Sequence, residues 1–131
     1  MTAIVAKGST PDDPAWLYSK GYVSIQLKDY NAAIAALSRV LAVQTNNNDA
    51  LFNRAIANLD SDHLAPARAD YLRLQQSFSN SFQVAYGLGE IAWRQHDTNE
   101  TVRNYQIYLA NADTNSGEAQ TVLERLKSLK R

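Results

Sequence analysis

The sequence has no cysteine, no excess of charge of either sign and no long apolar run. Without cysteine the chain can form neither a disulfide framework nor a thiolate zinc site, and it offers no cysteine nucleophile. A cysteine-free chain is compatible with reducing and oxidising compartments alike. Thirteen basic and 13 acidic side chains give a formal net charge of zero. This balance disfavours nucleic-acid and anionic-membrane partners, because both attract an excess of positive charge.

No apolar run approaches the length of about 18 residues that a membrane-spanning helix needs. The apolar stretch at residues 3–6 is too short for the core of a signal peptide. We therefore expect a soluble protein that carries no export signal in this chain and does not insert into membranes. The compartment stays unknown at this stage, with a cytoplasmic location slightly favoured.

Glycine and proline are also scarce, with five and three residues in a chain of 131. This is the length of one domain, and 45% hydrophobic with 20% charged residues is the composition of an ordinary globular protein. Apolar residues recur at helical intervals, and the alternation typical of strands is absent. The sequence therefore predicts an all-α domain.

The sequence repeats itself at an offset of 34 residues. Two columns of mostly small residues and one column of bulky residues keep the same spacing in each repeat. The first small column holds Gly21, Ala55 and Gly89, the second holds Ala33, Ala67 and Thr101, and the bulky column holds Leu37, Tyr71 and Tyr105. Each repeat contains two helical patterns separated by a short turn, so we expect each repeat to form a helix-turn-helix pair.

The predicted repeats span about 14–47, 48–81 and 82–115. Residues 116–131 follow as a capping helix, because their apolar positions form a single helical stripe. Residues 1–13 are expected to be an N-terminal extension or linker. The first helix has two possible N-caps, Thr10 followed by Pro11 or Asp13 followed by Pro14.

The small and bulky columns on a 34-residue period resemble the tetratricopeptide repeat family over about residues 14–115. The resemblance implies an α-solenoid, a right-handed superhelix in which the first helix of each repeat lines a concave surface. One departure is that the proline often found at the end of such a repeat is replaced by Thr45, Ser79 and Asp113.

The resemblance places a mainly aromatic and aliphatic set of side chains on this concave surface. One column holds Tyr18, Phe52 and Tyr86, a second holds Tyr22, Ile56 and Glu90, and a third holds Ile25, Leu59 and Trp93. Aromatic residues bury large areas at modest entropic cost, which suits them to anchoring a peptide. The alternative is that these side chains pack within the repeat core.

We therefore expect a non-catalytic protein-interaction module that binds a short segment of a partner protein in an aromatic groove. The expected apolar anchors are Tyr18, Tyr22, Phe52, Ile56, Tyr86 and Trp93, with Asn53 for backbone hydrogen bonds and Glu90 and Arg94 for polar selectivity. Asp49, Asp60 and Glu90 outnumber Arg94, so an apolar or weakly basic segment is the expected ligand. The cationic residues with which some tetratricopeptide domains hold a terminal carboxylate are missing at the matching positions.

The sequence gives no sign of an enzyme. It has no glycine-rich phosphate loop, no metal-ligand spacing and no nucleophile motif, so we expect no catalytic residues, no metal and no cofactor. His63 and His96 are expected to be turn residues. The alternative to peptide binding is a structural role, in which the domain assembles with itself as a homo-oligomer or with the rest of a larger chain.

Overall fold

The computed structural model describes residues 13–130. The alternative cap Thr10 and nearly all of the expected extension over 1–13 lie outside the described residues. All of the regular structure within 13–130 is helical, which confirms the all-α prediction. The seven helices are α1 (Pro14–Gln26), α2 (Tyr30–Val43), α3 (Asn48–Asp60), α4 (Leu64–Ser77), α5 (Phe82–Arg94), α6 (Thr98–Asn111) and α7 (Gly117–Ser128).

Six of these helices begin after a residue whose side-chain oxygen caps them. Asp13 accepts a hydrogen bond from the Ala15 amide at 2.9 Å, and Pro14 follows it at the first helical position. Such a cap satisfies a backbone donor that the helix cannot, which stabilises it by about 1 kcal/mol. The capping residues are Asp13, Asp29, Asn47, Ser81, Asp97 and Ser116.

The helices follow one another in pairs with the period of the sequence. The first helices of the three pairs begin at Pro14, Asn48 and Phe82, which are 34 residues apart. None of these helices, nor any other within 13–130, is long and apolar enough to cross a membrane.

Each pair is joined by the same tight turn, which contains a non-glycine residue in the left-handed region. Lys28, Asp62 and His96 have φ angles of 61°, 66° and 59°. In the first turn the Lys28 amide donates to the Ile25 carbonyl at 2.9 Å, and the Asp29 amide donates to the Ser24 carbonyl at 2.8 Å. This pattern is the Schellman motif, which closes a helix by pairing its last carbonyl groups.

The chain divides into two compact units, Met1–Asp70 and Tyr71–Arg131. In the first unit, α1 and α2 approach closely because Gly21 has no side chain. A Cβ atom at Gly21 would lie 2.6 Å from Cγ of Leu37, which is fully buried. The small column and the bulky column of the repeat therefore meet at this point.

In the same unit, an ion pair joins α3 to Asp70, the last residue of that unit. The Arg54 guanidinium donates to both carboxylate oxygens of Asp70, at 2.8 and 2.9 Å, and to the Ser38 hydroxyl at 3.2 Å. The Asp70 side chain is 7% exposed. Two parallel bonds of this kind are directional and stronger than bonds between neutral groups.

The core of the second unit lies between α5, α6 and α7. It is formed by Ala85, Tyr105, Tyr108, Ala119 and Val122. Tyr108 packs edge-on against Phe82 with ring centroids 6.0 Å apart. The Tyr108 hydroxyl donates to Glu118 at 2.9 Å, so that α6 holds the first turn of α7 by a polar contact as well as an apolar one.

Candidate functional site

Helices α1 and α3 of the first unit carry the predicted residues Tyr18, Tyr22, Phe52, Asn53 and Ile56. The side-chain amide of Asn53 donates to the Tyr18 hydroxyl at 2.9 Å and to the Asp49 carbonyl at 2.9 Å. These two bonds use both amide protons of Asn53. No other described residue bonds to the side-chain oxygen of Asn53 or accepts from the Tyr18 hydroxyl, so the first can still accept a hydrogen bond and the second can still donate one.

Tyr22 is the most exposed of these five residues, at 48%, whereas the other four are partly buried. Burial raises the pKa of Tyr18, and the negative charge of Asp49 adds to this effect. The Tyr18 hydroxyl therefore remains a hydrogen-bond donor at neutral pH. Within residues 13–130, the first unit therefore presents an exposed aromatic ring beside a polar pair that keeps one unused donor and one unused acceptor.

In the second unit, Glu90 is buried on α5 with its side chain 7% exposed. Its carboxylate accepts hydrogen bonds from Arg94 Nε at 3.3 Å and from the Tyr105 hydroxyl at 3.3 Å. A third bond comes from the Arg125 guanidinium of α7. Arg125 also donates to the Tyr105 hydroxyl at 2.8 Å. Glu90 is thus the centre of a network that links α5, α6 and α7.

Two aromatic residues of α5, Trp93 and Tyr86, make ring contacts close to this network. The Arg125 guanidinium lies 4.9 Å from the ring centroid of Trp93, which is a cation–π contact. Tyr86 packs against Tyr108 with ring centroids 5.7 Å apart. Burial raises the pKa of Tyr86, and it raises the pKa of Tyr105 to about 12. All of these tyrosines are neutral hydrogen-bonding groups at physiological pH.

Comparison with known proteins identifies the fold. No protein-family model matches the sequence, and no curated protein matches it. Among solved structures, the Arabidopsis OM64 TPR domain superimposes with a TM-score of 0.79, over 88% of this chain and 94% of that chain. The chain has the tetratricopeptide-repeat fold. The sequence identity of this match is 16%, so the similarity concerns the fold.

Within this tetratricopeptide-repeat fold, the predicted site residues belong to two groups. Tyr18 and Asn53 are in direct contact in the first unit, as described above. Glu90 and Arg94 are in direct contact in the second unit, where Trp93 lies against Arg125. We expected Glu90 to face a ligand. Its carboxylate instead accepts hydrogen bonds from Arg94, Tyr105 and Arg125.

Sequence reasoning missed Arg125 and Tyr105 as partners of Glu90. The two residues that indicate this pair are visible in the sequence, but they are 35 residues apart. Glu90 is the acidic member of a column that otherwise holds Tyr22 and Ile56, and Arg125 lies beside the apolar stripe of α7. An acidic residue in a bulky column and a cation at the edge of a buried stripe together indicate a buried pair.

The histidines and acidic residues do not suggest a metal centre. Within residues 13–130, no three His, Cys, Asp or Glu side chains are grouped so that they could hold a metal ion. His63 and His96 are exposed in the inter-helix turns. His63 Nδ1 lies 2.7 Å from the Ser61 hydroxyl two residues earlier in the chain. The described groups are suited to stacking, ion pairing and hydrogen bonding.

Proposed function

We propose that this protein is a non-catalytic interaction module that binds a short segment of a partner protein, with Tyr22 at the centre of the contact. The observation that carries this proposal is the 48% exposure of Tyr22 next to the hydrogen-bonded pair of Tyr18 and Asn53. A large exposed aromatic ring beside polar groups is typical of the residues that dominate binding energy at protein interfaces.

The Tyr18 and Asn53 pair is the proposed contact for the backbone of the bound segment. A peptide group offers one N–H donor and one carbonyl acceptor. The side-chain oxygen of Asn53 would accept from the N–H, and the Tyr18 hydroxyl would donate to the carbonyl. Phe52 and Ile56, both partly buried, would supply apolar surface on either side. Backbone contacts give affinity in such a mode, and side-chain contacts give selectivity.

The proposed ligand is apolar or weakly basic. Asp49 is exposed and close enough to Tyr18 to raise its pKa, so a cation of the ligand would find a favourable charge there. The second unit is proposed to offer apolar contacts of its own at Tyr86 and Trp93. The Arg94 side chain is 34% exposed and is proposed to add polar selectivity. Glu90 would act indirectly, by orienting Arg94 through their hydrogen bond.

A display selection with random peptides on the purified protein tests this proposal, followed by measurement of affinity for the enriched sequence. Tyr22→Ala is expected to weaken binding at least about tenfold, because truncation of a central aromatic anchor commonly costs 2 kcal/mol or more. The matched control is Val23→Ala. Val23 is 52% exposed, but it lies about 100° around the same helix. Its substitution should leave binding unchanged.

Further variants separate the contributions of the two units. Tyr18→Phe removes the proposed backbone donor but keeps the ring, and should weaken binding several-fold. Tyr86→Ala tests the second unit independently. If Tyr22→Ala binds as tightly as the unmodified protein, or if Val23→Ala is equally damaging, the aromatic face of the first unit is not the binding site. Circular dichroism confirms that each variant remains folded.

A further inference from the structure

A second candidate site, distinct from the aromatic face of the first unit, lies in the second unit where α5 ends. It is a cavity of about 190 Å³. Trp93 of α5 and Leu129 at the end of α7 form two of its sides. His96 of the turn, with Thr98 and Thr101 near the start of α6, completes the lining. All five residues belong to the second unit.

A small residue stands at the mouth of this cavity where the earlier helix pairs carry a large one. Thr98 occupies the position of the 34-residue period that holds Tyr30 in the first pair and Leu64 in the second. Tyr30 and Leu64 are bulky and partly buried, whereas Thr98 is small and exposed. The third pair therefore leaves room at a point where the first two pairs place a large side chain.

The walls of the cavity are held in place by contacts within the second unit. The Arg125 guanidinium lies 4.9 Å from the ring centroid of Trp93. In the turn, the His96 amide donates to the Trp93 carbonyl at 3.2 Å. The Thr101 hydroxyl donates to the Asp97 carbonyl at 2.7 Å. Because these groups are already ordered, a ligand would not have to order them, which lowers the entropic cost of binding.

The burial of the lining residues indicates which chemical group fits the cavity. The two largest walls, Trp93 and Leu129, are apolar and partly buried. The most buried lining residue, Thr101, already uses its hydroxyl proton within the chain. His96 and Thr98 are exposed, and neither side chain has a hydrogen-bond partner among residues 13–130. The cavity therefore has a mainly apolar interior and a polar mouth.

We propose that this cavity takes one apolar side chain of the bound segment, of the size of leucine or phenylalanine, while His96 and Thr98 bond to the backbone beside it. The proposal rests on the function proposed above. An apolar cavity of about 150 Å³ holds one benzene molecule, so a volume of about 190 Å³ suits one such side chain. A charged side chain is disfavoured, because burial of an unpaired charge is costly and the ring of Trp93 already faces the cation of Arg125.

A titration of the full chain with N-acetyl-leucinamide tests the cavity, with the indole N–H signals in proton–nitrogen NMR spectra as the readout. The chain has two tryptophans, and Trp16→Phe assigns their signals. The Trp93 signal should shift saturably, with a dissociation constant on the order of 1 to 10 mM for a ligand of this size. The Trp16 signal should not move. N-acetyl-glycinamide, which lacks the apolar side chain, should leave both signals in place.

A substitution at the mouth locates the binding. Thr98→Tyr introduces the residue that the first pair carries at this position, and should weaken binding of N-acetyl-leucinamide at least about tenfold by filling the cavity. The matched control is Asn99→Tyr, at the next position, which is exposed and outside the lining; it should have no effect. A Trp93 signal that does not shift overturns the proposal, and so does a shift that Thr98→Tyr leaves unchanged. A Trp93 signal that moves on dilution of the protein alone also overturns it, since a second copy would then occupy the cavity.

The peptide enriched by display separates this proposal from the function on which it rests. Thr98→Tyr should weaken binding of that peptide about tenfold, whereas Asn99→Tyr should not. If Tyr22→Ala weakens peptide binding and Thr98→Tyr does not, the proposed function stands and the cavity proposal is wrong. If N-acetyl-leucinamide binds in the cavity and no peptide is enriched, the proposed function fails and the cavity is a binding site for an apolar group in its own right.

Discussion

Removal of Arg125 should destabilise the second unit more than removal of a typical surface arginine. Glu90 is 7% exposed, and without Arg125 it would keep only two longer bonds, both 3.3 Å, from Arg94 and Tyr105. Removing one partner of a buried ion pair costs about 3 to 5 kcal/mol. Since Arg94 still neutralises part of the charge, we expect Arg125→Met to lower the free energy of unfolding by about 2 to 3 kcal/mol.

Urea unfolding at neutral pH measures this change, with circular dichroism as the signal. The matched control is Arg103→Met. Arg103 pairs with Glu100 at 3.2 Å, but its side chain is 58% exposed. Exposed pairs of this kind contribute between 0 and about 1 kcal/mol, so the control should cost little.

A double-mutant cycle identifies the cause of the loss. In the Arg125→Met background, Glu90→Gln removes the uncompensated charge while keeping the shape of the side chain. The double variant should therefore recover about 1 kcal/mol or more relative to Arg125→Met. If Arg125→Met costs no more than Arg103→Met, or if Glu90→Gln brings no recovery, the buried network does not stabilise the unit in the way described.

Three further predictions concern the turns and the core. Gly89→Ala should lower the free energy of unfolding by about 1 to 3 kcal/mol, because its Cβ would lie 2.5 Å from the Tyr105 ring. Gly117→Ala, with no atom within 4 Å of the new Cβ, is its control in urea unfolding. His96→Gly should raise the melting temperature, since its φ of 59° suits glycine, whereas Gln95→Gly next to it, at φ −91°, should lower it. The pKa of Tyr105 is raised to about 12 from an ordinary value of 10, so its stabilising contribution is complete below pH 10 and is lost as pH rises from 10 to 12. Denaturation measured across this range should show a decline of about 2 kcal/mol that is reduced in Tyr105→Phe.

Much of the fold could be predicted from the sequence because its determinants are local. The helical spacing of apolar residues and caps such as Asp13 act within a few residues, and the 34-residue period indicates that the same local pattern recurs. The left-handed conformation of the three turn residues could not be predicted in this way. Lys28 and His96 adopt positive φ without the glycine that normally indicates such a conformation, since the pairing of the helix-end carbonyl groups compensates the strain.

The candidate site was less predictable because one repeat column holds three different environments. Tyr22 is exposed, Ile56 is partly buried and Glu90 is buried. Periodicity assigns the three residues to equivalent positions on successive first helices, but the environment of each depends on what packs beside it. For Glu90 the decisive neighbour is Arg125, which is 35 residues away on a helix that does not belong to the three repeats.

The proposed binding role depends on side chains that do not already use all of their hydrogen-bonding groups within the chain. A residue whose charge is already matched within the chain, such as Glu90, gains little by meeting a ligand charge, because its existing bonds must first be broken. Tyr22 carries no such cost, and Tyr18 and Asn53 retain one donor and one acceptor while bonded to each other. In the proposed binding mode the first unit would therefore bind without rearrangement, whereas the buried carboxylate of the second unit links α5, α6 and α7. Under the proposed function, substitutions on α1 and α3 should change which ligand is bound, whereas substitutions around Glu90 should change whether the second unit is folded.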